Sequence, residues 1–516
     1  MMKRILLATA TLLVAQTLMA GPVDGTRARI VAKNAVRLHA LYMDNADKQI
    51  AAEAPVSLQT VSLASPLENL YIYNYAMPMN QGGDSLKGFV VLSGDDMAAP
   101  VLAISDEAPL DPTDVNPAAR FWLEQYDKQI AAGRKSNMAS TREIARKWDL
   151  LQNGSALKLA LDSFAQKGDF YNDHIPLLIR SRWSQEKPYN NLCPRNAVTG
   201  CVATAFAMIM RYWEYPEHGF GRHSYNGADN PAAYPDWSYG ELSADFENTY
   251  YDWGHMPEFI QLNSDPTEIN AIATLIYHVG VAIDMRYGEN GSMSWSLPEY
   301  AIYDTSLHLD PTISAPYRIS KHFGYKYSYT GMRDSIGDDT LWMKMVYNSL
   351  ADGKPVYYAG WAKDDSPDGH SGTSGHGFLI VGYFSDVVDS NLYSVNWGWG
   401  GNSNGYFKLD ALRPGTNDFT QWHGAVLGME PDTSYHGYDP SAIPTTESSA
   451  LHAYVMGNSI VAHGLNGKSA TLFDIMGRRV AYRSANQGDT WNVTVKPGIY
   501  IVRIGQQSGQ KLVVLQ

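Results

Sequence analysis

The sequence predicts an α+β fold in several domains, and three observations carry that prediction. A helix-period segment at 201–213 places Val202, Phe206, Ile209 and Trp213 at helical spacing. Strand-like runs at 355–360, 378–383 and 392–397 follow it, so helix and sheet are segregated along the chain, as in α+β folds. Short apolar runs at 470–473, 499–504 and 512–515, separated by Gly-bearing turns, predict a small β-sandwich at the end. The 516 residues are 45% hydrophobic and 12% aromatic, enough to pack the cores of roughly two to four domains.

The elements follow in order. Residues 1–20 read as a secretory signal: Lys3 and Arg4, an apolar run from Ile5 to Val14 and on to Leu18, and small residues at Ala20-Gly21. A membrane anchor is the alternative, but Thr9, Thr11 and Gln16 interrupt a run already short for a bilayer. The mature chain is therefore expected to be secreted or held at the cell surface. Region 21–165 has a strand-like half, with alternation over 70–75 and a hairpin over 88–94 and 100–104. Its helical half spans 117–132, with Phe121, Leu123, Tyr126 and Ile130 on one side and an exposed joint at Arg134–Asn137. Region 166–433 holds most of the Trp, helices over 201–213 and 267–279, and the strand-rich end. Residues 434–450, rich in Asp, Pro, Ser and Thr, read as a linker. Tail 451–516 carries seven Lys or Arg against two Asp, a net of +5, which leaves −18 for everything before it.

The net charge of −13 and the lack of a basic tract leave a nucleic-acid partner without electrostatic footing; the acidity reads as a solubilising surface. Chemistry concentrates in two stretches, Thr199–Ala205 and His376-Gly377-Phe378 followed by Asn396–Gly401. Cys201 falls in or just before the first turn of its helix. There, unpaired N–H groups and the dipole favour thiolate, so the thiol is expected to have a depressed pKa and act as a nucleophile. His376 is the expected base, since imidazole titrates near neutral pH. His370 is the rival, but it lies in a polar stretch, whereas His376 directly precedes an apolar strand. Cys193, held outside a helix by Pro194, lacks that activation. It could pair with Cys201, which would silence the nucleophile, or pack as a free thiol. No His stands in a ligand spacing with a Cys, so neither a metal nor any other cofactor is expected.

Residues 60–433 resemble the streptopain family, secreted bacterial cysteine peptidases made as zymogens. The resemblance rests on Thr199–Ala205, Val279–Met285, Pro355–Tyr358, His376–Phe378, Val395–Gly401 and Leu409–Leu412, in the family's order. It implies a papain-like peptidase domain over 166–433, preceded by an α+β propeptide over 21–165 that acts as an intramolecular inhibitor, with a junction near Phe164–Gly168. By resemblance, Asn396 and Trp397 orient the His376 ring. Gln185 and the backbone N–H of Cys201 form the oxyanion hole. Met285, Tyr287, Tyr358 and Gly375 are candidate substrate-pocket walls, with an apolar preference for the residue before the cleaved one. The interval 363–375 is longer than in the relatives. The tail resembles the C-terminal sorting domain of type IX secretion through Leu472–Val480 and Pro497–Ile504, which implies that machinery as a partner and passage through periplasm and outer membrane. The expected activity is protein and peptide hydrolysis through a Cys-His dyad and an acyl-enzyme. The competing classes are a non-catalytic surface adhesin on the same fold and an amidase acting on cell-wall peptides.

Overall fold

A computed structural model describes residues 20–43, 48–78, 85–167, 174–226, 239–289, 291–297, 311–336, 338–361, 375–409, 423–435 and 437. In the tail it describes 452–456, 459–463, 465, 468–474, 479–485, 491–496, 498–504 and 510–514. Residues 1–19 of the expected signal at 1–20, most of the expected linker at 434–450 and His370 lie outside the described residues.

The N-terminal region opens with α1 (Gly25–Leu41), α2 (Lys48–Glu53) and strands β1 (Ser57–Thr60), β2 (Leu70–Pro78), β3 (Ser85–Ser93) and β4 (Val101–Ser105). Helices α3 (Pro117–Lys135), α4 (Arg142–Gln152) and α5 (Ser155–Lys167) follow. The expected strand-then-helix order is thus incomplete, because a capped helix comes first. Asp24 accepts from the N–H groups of Thr26 and Arg27 and starts α1, whose Ala-rich face packs with α4, α5 and one side of the sheet. Around the expected junction, Phe164 to Lys167 form the end of α5, and Gly168 lies outside the described residues.

The central region contains β5 (His174–Ile175), α6 (Cys201–Trp213), β6 (Arg222–Asn226), β7 (Glu241–Asp245), α7 (Pro266–Ala282) and α8 (Ala315–Phe323). It continues through β8 (Tyr325–Lys326), β9 (Tyr329–Met332), α9 (Arg333–Ile336), α10 (Asp339–Ala351), β10 (Val356–Trp361) and β11 (Gly375–Phe384). Strands β12 (Leu392–Asn396), β13 (Gly405–Phe407), β14 (Gly424–Leu427) and β15 (Glu430–Pro431) complete it. Helices α6 and α7 pack on one face of its sheet around Phe206, Ile209, Ile276 and Tyr357. Helices α3 and α10 cover the other, around Trp122, Trp342, Tyr358, Phe378 and Trp397.

One sheet runs through both regions. Among the described residues its order is β1-β2-β3-β4-β13-β12-β11-β10-β14-β9, with β5 added on β11. The seam is the antiparallel pair β4–β13, Ile104 opposite Tyr406 and Ala103 opposite Phe407. The N-terminal sheet therefore caps an edge that a three-residue strand would leave unpaired. The tail forms two antiparallel sheets, β16-β17-β20 (His452–Met456, Ser459–His463, Trp491–Thr494) and β19-β18-β21-β22 (Arg479–Arg483, Ala470–Asp474, Gly498–Ile504, Gln510–Val514). They enclose Ile460, Leu465, Leu472 and Val502, as the short apolar runs predict for a β-sandwich.

Candidate active site

Cys201 is the first residue of α6. The preceding Gly200 has φ +86°, and a Cβ there would stand 2.7 Å from Met285 Cε, so both backbone and space require glycine. The Thr199 and Thr204 hydroxyls share a hydrogen bond of 2.7 Å, and Thr204 Oγ1 also donates to the Gly200 carbonyl. These contacts hold the turn that presents the thiol. Its own N–H and those of Val202 and Gly377 face the sulfur, as the helix-start argument predicts. The Gly377 N–H donates to Sγ over 3.4 Å. It can do so because the β11–β12 ladder stops at Leu379 opposite Asn396, leaving the Gly377 amide outside it.

The thiol nevertheless lies above its ordinary range, because burial outweighs those donors. This corrects the expected depressed pKa. Burial likewise lowers His376 to about 4, so its ring is neutral. Among the described residues no hydrogen bond joins Cys201 Sγ to that ring. The imidazole packs instead against Phe121 of α3, centroids 6.0 Å apart. The structure thus brings the two residues together, Gly377 touching the sulfur, in a state with neither charge formed.

The other expected site residues divide. Gln185 is buried, and its carbonyl accepts from Thr199 N at 3.0 Å, two residues from Cys201. Asn396 departs from the expected orienting role in this state. Its amide nitrogen donates to the Ser181 carbonyl (2.7 Å) and its oxygen accepts from Gly398 N (3.1 Å), so it shapes the glycine-rich turn. Trp397 is buried between Phe378 (4.8 Å), Phe407 (5.2 Å) and Trp122 (6.2 Å). Met285 abuts Gly200, and the loop beyond it is tied to the nucleophile's turn by Ser292 Oγ donating to the Val198 carbonyl. Tyr287 is a core residue rather than a pocket wall, its hydroxyl pressed against Gly280 of α7. Tyr358 is also core, its hydroxyl accepting from Trp342 Nε1 beneath α3. Gly375 opens β11 opposite Trp361. Cys193 and Cys201 are both free; burial pushes the Cys193 thiol up to about 12, so it packs as an inert group.

Comparison with known proteins decides what this arrangement belongs to. The description "Peptidase C10 family" matches residues 183–407, and "Spi protease inhibitor" matches residues 20–130. Streptopain of Streptococcus pyogenes is 30% identical over 392 residues, covering 73% of this chain and 85% of its own. The chain belongs to the streptopain family, peptidase family C10. The thiol protease/hemagglutinin PrtT of Porphyromonas gingivalis is 28% identical over 83% of this chain, which spans only 44% of that relative's length. A solved fragment of Prevotella intermedia prointerpain A matches with TM-score 0.50 and 28% identity, covering 74% of this chain and all of the fragment. The papain-like C10 fold and an inhibitor-like N-terminal domain follow.

In this C10 chain the inhibitor-like domain grips the peptidase sheet through a residue that sequence reading did not single out. Trp122 of α3 stacks on His423 (4.9 Å, 17° between planes) and meets Phe378 and Tyr358 edge-on (5.4 and 6.3 Å). Its indole N–H donates to the Lys408 carbonyl at 3.0 Å. Behind the Met285 loop, a second group missed from sequence fixes Asp284, whose φ is +52°. His223 Nε2 contacts one carboxylate oxygen at 2.5 Å and Arg318 donates to the other at 3.0 Å.

Proposed function

We propose that the chain is an exported cysteine endopeptidase made as a latent precursor. Cys201 attacks the scissile carbonyl as thiolate, and His376 takes the thiol proton and returns it to the leaving amine. Water then releases the acyl group from sulfur. The observation that carries this reading is the contact between Cys201 Sγ and the backbone of the residue after His376, at a helix start that aims unpaired N–H groups at the same sulfur. Gln185 and the Cys201 N–H supply the oxyanion hole. Asn396 and Trp397 set the strand end from which the imidazole swings, and Asn396 orients the ring once that swing is made. Met285 lines the pocket for an apolar residue before the cleaved one. Residues 21–165 act as the propeptide, and self-cleavage near the end of α5 releases it. Residues 451–516 serve as the type IX export signal, the route past the outer membrane.

Casein hydrolysis after incubation with a reductant tests the core of this reading. It is expected to be abolished by a peptide-like epoxide and by Cys201→Ala. A Cys201→Ala chain that still digests casein, or that still shortens at the parental rate when expressed alone, would overturn nucleophile and self-processing respectively.

A further inference from the structure

Tyr357 and Tyr358 are neighbours in β10 and point to opposite faces of the sheet. The Tyr358 hydroxyl is satisfied; the Tyr357 hydroxyl is fully buried, with no hydrogen bond of ordinary geometry, and the Ser296 side chain lies near enough to act on it as a donor. Its own O–H has no acceptor at ordinary hydrogen-bond geometry, which is disfavoured in a folded core unless another state supplies one. Its position is fixed from two sides. The Tyr357 ring stacks on Phe206 of α6, centroids 4.7 Å apart and planes 11° from parallel. Its hydroxyl lies against Gly377, where a Cβ would stand only 2.3 Å away. The N–H of that same glycine donates to Cys201 Sγ, so one residue touches both the Tyr357 hydroxyl and the sulfur. Cys201 and Tyr357 also interact electrostatically, and burial keeps the phenol protonated well beyond the range in which a thiol ionises. The group therefore keeps its proton to donate, and the nearby acceptor that gains strength on activation is a thiolate.

We propose that Tyr357 is the interior hydrogen-bond donor to the Cys201 thiolate, a positioning residue that engages when the thiol proton passes to His376. It rests on the reading of Cys201 as nucleophile. In the step, the S–H bond breaks, its proton goes to the imidazole, and Tyr357 keeps its own O–H while sharing it with the sulfur. A donor to an ionised acceptor in a water-free interior is stronger than a neutral one, so the bond favours the thiolate it contacts. Gly377 is required by the same geometry, since any side chain there would occupy the hydroxyl's place.

The test is Tyr357→Phe, which keeps the ring, its stack on Phe206 and its contact with Gly377, and removes one oxygen. The readouts are the pH dependence of iodoacetamide alkylation at Cys201 in the processed enzyme, and kcat and KM on a peptide substrate. The alkylation midpoint is expected to rise by about one pH unit. Below that midpoint kcat should fall about tenfold with KM little changed, and thermal stability should be equal or higher. A profile superimposable on the parent's, with kcat within about twofold, overturns the proposal. A structure of the processed parent enzyme checks it independently of any variant: Tyr357 Oη is expected within about 3.5 Å of Sγ, and a separation clearly beyond hydrogen-bond range overturns it. Casein hydrolysis that survives complete alkylation of Cys201 would instead remove the nucleophile reading itself.

Discussion

Trp122→Ala tests how latency is held. The indole is 2% exposed and sits in a socket of His423, Tyr358, Phe378 and Trp397, all from the peptidase side. Truncating a buried Trp to Ala costs about 3–5 kcal/mol, and the lost indole bond to the Lys408 carbonyl is part of that figure. Some of the loss falls inside the inhibitor-like domain, where the same N–H lies 3.1 Å from the Tyr126 hydroxyl. Assigning about 3 kcal/mol to the interface predicts dissociation of the nicked N-terminal fragment faster by about two orders of magnitude. The assay uses the Cys201→Ala chain nicked after α5 by an added protease, followed by size-exclusion chromatography at timed intervals. Trp122→Phe keeps a ring in the socket but not the N–H, and should fall between parent and alanine; it also serves if the alanine chain does not accumulate. Release changed less than about threefold in both variants would refute the socket as the anchor. The β4–β13 strand pair would then carry the grip.

In the Cys201→Ala chain, the His376 ring should titrate near 4 by NMR and return toward 6.5 once the N-terminal fragment leaves. Because the latent form resists protonation, the grip is fully present above about pH 6.5 and weakens as pH falls toward 4; equal values before and after release would contradict this. Gly200→Ala should cut kcat/KM more than about tenfold, and adding Met285→Ala should recover part of the loss by removing the clash while leaving the φ of +86° unfavourable. No recovery in the double variant would place the whole effect in the backbone. Asn396→Ala should lower stability to urea by about 2 kcal/mol, since it strands the Ser181 carbonyl and the Gly398 N–H; a change under about 0.5 kcal/mol would show that turn to be held by other contacts.

The placement of Cys201 at a helix start and of His376 beside an apolar strand was legible because each signal is local and can be read within ten residues. The grip on the site was not. Strand β13 has three residues, and its pairing with β4 joins positions some 300 residues apart, so no local pattern announces it. Helix α3 misleads for a related reason. Phe121, Trp122 and Leu123 are consecutive, which no single helical face can accommodate, yet all three are buried. The helix packs across the seam of the continuous sheet, against strands of both regions, so residues on more than one side of it are buried and a reading that assigns one apolar side gives no reason to single out Trp122. Tyr357 and Tyr358 pose the same difficulty in strand form: period 2 says that they part company, but not which side holds the sulfur.

On the proposed reading, the two faces of β11 let one strand serve both latency and chemistry. Side chains at 376 and 378 lie on the α3 side, where Phe121 meets the imidazole and Trp122 meets Phe378. The main chain at 377 already touches Cys201 through its N–H. A latent state built by shifting the strand would break that contact and flip every side chain to the wrong face. Here the register keeps that contact, and the imidazole lies against Phe121 of the inhibitor-like domain. On the proposed reading, activation requires only that α3 leave and the His376 side chain turn. Both events lie within reach of a cut near the end of α5, because no strand of the peptidase sheet has to be rebuilt except the edge that β4 vacates.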